Sequence, residues 1–155
     1  MGHVAAEDHL ALADEIQDIS KLLRAGQHNE ALDRVNKYLS GRPEDAQGRF
    51  LRGLILAEQR KTGEAIDVFQ RLTQDYPELP EPYNNLGNLY SRQGKYPQAV
   101  ERYQQALARH PDQEASVRFN LADTWRQAGR PDQALPLLEQ AVSEDPDRKS
   151  TRLNS

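Results

Sequence analysis

The chain has 155 residues, 37% of them hydrophobic, a formal net charge of −4 and no cysteine. That length fits one domain able to bury its own core, while the missing thiols remove disulfides, thiolate nucleophiles and cysteine metal sites together. The acidic balance, with no basic run, lacks the electrostatic footprint of a nucleic-acid binder.

No apolar stretch is long enough to cross a bilayer, and the first residues, MGHVAAEDHLALADE, lack a signal peptide's apolar core. The chain therefore reads as soluble, with the cytoplasm favoured and the periplasm open if an export signal has been removed. Residues 1–11 read as a partly helical extension. They run into Ile16, Ile19, Leu22 and Leu23, whose spacing predicts one long helix from about Ala5 to Ala25.

From there the sequence repeats. Ala31, Ala65 and Ala99 lie 34 residues apart and Ala134 follows after 35; Pro43, Pro77, Pro111 and Pro146 keep the same step, as do Gly53, Gly87 and Ala122. The units are residues 12–45, 46–79, 80–113 and 115–148, with one extra residue near Glu114. Each predicts a pair of helices. The small residue of the first (Gly53, Gly87, Ala122) is expected to face the alanine of the second (Ala65, Ala99, Ala134), so that the two cross closely. Val35, Phe69, Tyr103 and Leu138 are expected to fill the centres. Gly26, Gly94 and Gly129 suit the left-handed residue that ends a helix, Pro97 and Pro131 the opening turn of the next, and each closing proline the end of the pair.

Three units depart from this pattern. The first carries Glu15 and Asp18 where the third has Tyr83 and Leu86. In the second, Arg60 takes the place of the turn glycine and Arg52 that of Leu86. Its first helix either rotates to turn Phe50, Leu54 and Ile55 inward, or keeps register and turns them to the opposite face. The fourth has Pro136 inside its second helix, where a backbone donor is lost. Residues 149–155 form a polar tail, foreign or truncated, that fits no repeat position. Nothing in it supplies a helix to cover Leu135, Leu138 and Val142, which points to truncation, a missing downstream domain, or self-association through the uncovered last helix.

Between Pro80 and Pro111 the spacing Tyr83-x2-Leu86-Gly87-x2-Tyr90, Ala99-x3-Tyr103, Pro111 resembles the tetratricopeptide-repeat pattern residue by residue. The resemblance implies an all-α, right-handed superhelical solenoid of about four helix–turn–helix repeats. It also implies a protein–protein interaction module that takes a peptide or partner helix in a concave groove, with no catalysis and no cofactor. An oligomerisation or spacer domain, or the regulatory fragment of a larger protein, are the alternatives.

The candidate groove is the stripe opposite the buried face of each first helix. In the third unit it holds Asn84, Asn85, Asn88 and Arg92, and in the fourth Phe119, Asn120, Asp123, Arg126 and Gln127; Phe50 stands at the equivalent place in the second. The groove is expected to be apolar early and polar late, which suits a ligand with an apolar anchor followed by hydrogen-bonding backbone or an acidic group. Asparagine fits such a groove because its amide both donates and accepts. Asn88 and Asn120 match the asparagine pair of the two-carboxylate clamp that some tetratricopeptide domains close on chaperone tails, but Asn84 replaces its lysine and the next repeat is missing, which disfavours chaperone-tail binding. His3, His9, His28 and His110 show no i, i+4 pairing of a helical zinc site, and no glycine-rich phosphate loop is present.

Overall fold

The structure is a computed structural model that describes the backbone of residues 2–144 and the side chains of residues 9–144. These residues form eight α-helices and no strand. The chain divides into two compact units, residues 1–72 and 73–155.

The first unit contains α1 (Gly2–Arg24), α2 (His28–Gly41), α3 (Ala46–Glu58) and most of α4 (Thr62–Asp75). The predicted long first helix is present as α1 and begins upstream of Ala5. Its apolar stripe closes on Ala31, Val35 and Tyr38 of α2 and on Leu51 and Ile55 of α3, around the fully buried Ile19. The acids that break the pattern in α1 have a partner: Arg34 on α2 lies 2.8 Å from Glu15 and 3.6 Å from Asp18. All three are solvent-accessible, so the bridge orients the helices more than it stabilises them. Asp45 caps α3 by accepting from the Gly48 N–H at 2.8 Å, and it also accepts from the Tyr38 hydroxyl at 3.2 Å.

The first helix of each pair ends in the same way in both units. Gly26, Gly94 and Gly129 have φ of 78°, 75° and 78°. In each case the next residue's N–H reaches back five positions: Gln27 to Leu22, Lys95 to Tyr90, and Arg130 to Trp125. This is the Schellman closure, and its left-handed residue favours glycine. Arg60 is held there too, with φ 62° and the Lys61 N–H on the Leu56 carbonyl at 2.9 Å. Arg60→Gly is therefore expected to stabilise the fold by about 1 kcal/mol. A thermal melt checks this, and a lower melting temperature would refute the strain account. His110, also left-handed at φ 51°, ends α6 without the longer bond, because Pro111 after it has no N–H to give.

One expectation about packing is refined. At Gly53 and Gly87 the nearest neighbour across the crossing is an aromatic ring rather than the alanine of the second helix. A Cβ on Gly53 would lie 2.7 Å from Cζ of Phe69, and one on Gly87 would lie 2.6 Å from Cε1 of Tyr103. The glycine clears space for an aromatic ring, which is the larger demand. The same contact settles the second unit's ambiguity: α3 keeps register, since Gly53 meets Phe69 as Gly87 meets Tyr103. Ile55 is nevertheless fully buried, Leu54 is half-buried, and Phe50 lays its ring edge-on to Phe69 with centroids 5.6 Å apart. Arg52 stays at the surface, where it donates to Asn36 at 3.0 Å.

The second unit holds the last turn of α4 with α5 (Pro80–Arg92), α6 (Tyr96–Ala108), α7 (Glu114–Gln127) and α8 (Pro131–Glu144). Helix α5 pairs with α6, α7 pairs with α8, and α6 packs on α7. Its core joins Tyr83, Ala99, Val100, Tyr103, Ala106, Val117 and Leu121. Tyr83 also ties down the chain ahead of α5. Its hydroxyl donates to the Pro77 carbonyl at 3.1 Å, and the Arg109 guanidinium, 4.1 Å over its ring, donates to the same carbonyl. The segment entering α5 is thus fastened to the end of α6. In the fourth unit Arg118 takes over this position, bonding Glu114 on α7 and Glu144 on α8.

Helix α8 continues through Pro136. Leu135 is 60% exposed, whereas Val100, at the same repeat position on α6, is 8% exposed beneath its neighbours. Pro146 and the tail at residues 149–155 lie outside the described residues.

Candidate functional site

On α5, Asn88, Ser91 and Arg92 are spaced i, i+3, i+4, and on α7, Asn120, Asp123, Thr124 and Gln127 are spaced i, i+3, i+4, i+7; each set therefore shares one helix face. The two faces meet within the second unit and enclose a polar cavity of about 280 Å³ whose remaining wall is Tyr103 of α6.

The polar atoms of that wall form a network. The Tyr103 hydroxyl donates to Asn88 Oδ1 at 2.6 Å, and the Ser91 and Thr124 hydroxyls lie 2.9 Å apart. Thr124 and Tyr103 are almost wholly buried, at 1% and 2% exposure. Burial pushes the Tyr103 phenol up to about 12, against the opposing pull of a hydrogen bond from Thr124 and of the Arg92 charge. Across the helices, Asn120 Nδ2 reaches Asn84 Oδ1 at 3.4 Å.

The charges of the site are unequally committed. Asp123 is held by Arg126 at 2.6 and 3.1 Å and by the Gln127 amide at 2.7 Å. The Arg126 hydrogen bond, seconded by that of Gln127, keeps its carboxyl below the usual carboxylate range despite partial desolvation. Arg92, at the rim, has no hydrogen-bond or ion-pair partner among the described residues. The cavity thus presents a free guanidinium and a carboxylate already neutralised by its own helix.

The structure brings Asn88, Arg92, Asn120, Asp123 and Gln127 together in this one cavity. Asn84 touches it only through Asn120, and Asn85 turns back to donate to the Glu81 carbonyl of its own helix at 2.9 Å. Arg126 faces a neighbouring recess of about 390 Å³, where Phe119, Ala122, Ala134 and Leu138 supply an apolar lining. Phe50 belongs to the other unit, packed on Phe69. Thr124 is absent from the stripe read off the sequence, and Tyr103 is expected there only as a core residue. The signal for Thr124 was available: it stands where the second and third units have Ile55 and Leu89, both buried, and a hydroxyl at a buried apolar position needs a partner.

Among the described residues no three His, Asp or Glu side chains converge to hold a metal ion, and no helix is long and apolar enough to cross a membrane. His110 lies 3.2 Å from Glu114, whose carboxyl it lowers together with Arg118. The side chain of His3 lies outside the described ones.

Comparison with known proteins extends these observations. One tetratricopeptide-repeat family model matches residues 64–112 and 78–143, and a second matches residues 20–80. The human protein O-mannosyl-transferase TMTC1 is 30% identical over 99 residues, which is 61% of this chain and 11% of that protein. The chain thus spans about a ninth of the length of that relative. Among solved structures, MamA superposes with a TM-score of 0.74 at 17% identity, covering 99% of this chain and 87% of that one. MamA from Desulfovibrio magneticus RS-1, residue 41 to its end, gives 0.74 at 18% identity over 85% and 74%. YrrB, described as a TPR protein with an unusual peptide-binding site, gives 0.71 at 19% identity over 90% and 72%. These likenesses carry the fold, and the family models together cover residues 20–143. The chain belongs to the tetratricopeptide-repeat family, whose members are protein–protein interaction modules.

Proposed function

We propose that the chain is a non-catalytic interaction module that holds an extended peptide or partner helix on the α5–α7 face of its second unit, with the polar cavity as the anchor point. The observation that carries this is the convergence of Asn88, Asn120 and an unpartnered Arg92 on one cavity of about 280 Å³. A peptide main chain offers alternating donors and acceptors, and asparagine amides match both. Because three packed helices fix these side chains before any ligand arrives, the ordering cost of binding is reduced. The groups that could serve acid–base chemistry there are poorly placed for it: Tyr103 keeps its proton to about pH 12, and Asp123 is bound to Arg126. Peptide binding by YrrB is consistent with this use of the fold.

The test is capture of a partner from a lysate of the source organism by the whole chain, with Asn88→Ala/Arg92→Ala as the control. Capture is expected to fall by about tenfold or more, the weight of a charge-assisted hydrogen bond and a neutral one together. Arg92 is exposed, so Arg92→Ala alone should leave the melting curve unchanged, whereas Asn88→Ala takes the acceptor from the buried Tyr103 hydroxyl and should lower the melting temperature; the pair variant is therefore assayed below its own melting transition. Undiminished capture by the pair variant would remove the cavity as the site.

A further inference from the structure

We infer that the recess between α7 and α8 is a second docking surface, and that its occupant is an amphipathic helix of a partner protein, packed as α7 packs on α6 and carrying a basic residue beside its apolar stripe. The surface is independent of the interaction proposed above, since neither Asn88 nor Arg92 lines this recess.

The repeat itself indicates what kind of element fits. A shift of 35 residues lays α8 on α6, so that Ala134, Leu135 and Leu138 fall on Ala99, Val100 and Tyr103. On α6 these positions share one core with Val117 and Leu121 of α7, and Val100 and Tyr103 are 8% and 2% exposed. On α8, Ala134 is buried as before, but Leu135 is 60% exposed and Leu138 only half-buried. The two positions that open are therefore those that a helix in α7's place would cover. Beside them lies the recess of about 390 Å³, with its apolar lining of Phe119, Ala122, Ala134 and Leu138. Its polar edge is already satisfied, because Arg126 bonds Asp123 at 2.6 and 3.1 Å. One floor position differs from its internal counterpart: Phe119 stands where Asn84 accepts from Asn120 of α7 at 3.4 Å. An amide at the equivalent place of an incoming helix would lose its partner, so that place calls for an apolar side chain.

A second copy fits this face poorly. In α1, the helix that would stack there head to tail, the exposed Asp14 and Asp18 stand where α7 has Val117 and Leu121. In α8 itself, Asp132 and Glu144 are bonded to Arg130 and Arg118. Glu139, one turn from Leu135 on the same face, has no partner among the described residues. Pairing α8 with α8 would thus bring two unmatched carboxylates into one interface. Residues 145–155 hold Leu153 as their only large apolar side chain, too little for a stripe of the α7 kind. A helix of another protein answers both demands if it is apolar at the i, i+3 and i+4 positions that α7 fills with Val117, Asn120 and Leu121, and carries a lysine or arginine facing Glu139.

The test titrates the whole chain, 15N- and methyl-labelled, with a synthetic peptide of residues 114–127 carrying Asn120→Leu. This probe keeps Val117 and Leu121, completes the apolar stripe, and has Arg118 and Arg126 as its basic residues. It is expected to shift the Leu135 and Leu138 methyl signals while the Asn88 side-chain amide stays still. The unaltered 114–127 peptide should bind about tenfold more weakly, since its Asn120 amide meets Phe119 without a partner. Leu135→Glu in the whole chain should weaken the probe by about tenfold or more; the side chain is 60% exposed, so the fold is expected to survive, and the melting curve checks that it does. Glu139→Lys, also at the surface, should weaken the probe and remove part of its salt dependence. Unmoved Leu135 and Leu138 signals, an equal response to a scrambled peptide, or full binding to a folded Leu135→Glu chain would overturn the inference. So would a shift at Asn88 alone, which places the peptide in the polar cavity. Leu135 signals that move on dilution of the chain by itself, with a mass that rises with concentration, would assign the face to a second copy and overturn the partner helix.

Discussion

Gly87→Val is expected to destabilise the chain by about 3 kcal/mol, read as a lower midpoint in urea unfolding. Even a bare Cβ at this position would lie 2.6, 2.7 and 2.8 Å from three ring atoms of Tyr103, and valine adds two methyl groups beyond it. The ring has little room to yield, since it is 2% exposed and its hydroxyl is tied to Asn88 at 2.6 Å. Helix propensity favours valine over glycine by only a few tenths of a kcal/mol and cannot offset the clash. Because the ring forms the wall of the polar cavity, the same substitution should also weaken ligand capture. Combining Gly87→Ala with Tyr103→Leu should recover part of the stability but not the hydrogen bond to Asn88. An unchanged midpoint for Gly87→Val would mean that the close approach of α5 to α6 is not under constraint.

The second large effect is alkaline. The Tyr103 phenol is raised from 10.0 to about 12 in the folded chain, mainly by burial. The folded state therefore holds this proton more tightly than the unfolded state does, and the resulting stability is complete below pH 10. As pH rises through 10 the unfolded chain begins to lose the proton first. The contribution drains away until the folded phenol also ionises near pH 12. Two pKa units correspond to about 2–3 kcal/mol. Urea midpoints taken across this window should fall for the natural chain and fall distinctly less for Tyr103→Phe, with the other tyrosines and lysines common to both. Parallel curves for the two proteins would show that Tyr103 is not the group responsible.

The repeat step of 34 residues, the turn glycines Gly26, Gly94 and Gly129, and the helix pairs they separate were all legible in the sequence, because each follows from a local rule about which residues can end a helix. Arg60 shows how far that rule reaches: it stands in the place of a turn glycine, and the fold holds it left-handed there even without one, with φ 62°. The polar stripe on α5 and α7 was legible for the same reason, since helical spacing decides which side chains share a face.

What no spacing contains is the partner across the helix. Small residues at Gly53 and Gly87 predict a close crossing, but only the packed fold shows that Phe69 and Tyr103 fill the space. Asn85 and Asn88 look alike in sequence; one bonds its own helix, and the other is held by a tyrosine 15 residues away. Tyr103 read as a core residue because its ring is one, and its hydroxyl acquired a second role only when α5 brought Asn88 beside it. The sequence by itself therefore determined the repeats, their turns and the face that carries the polar residues, all of which are local. The tertiary structure alone decided which of those residues bond their own helix and which bond across to another, because a hydrogen bond between helices is committed only when its partner arrives.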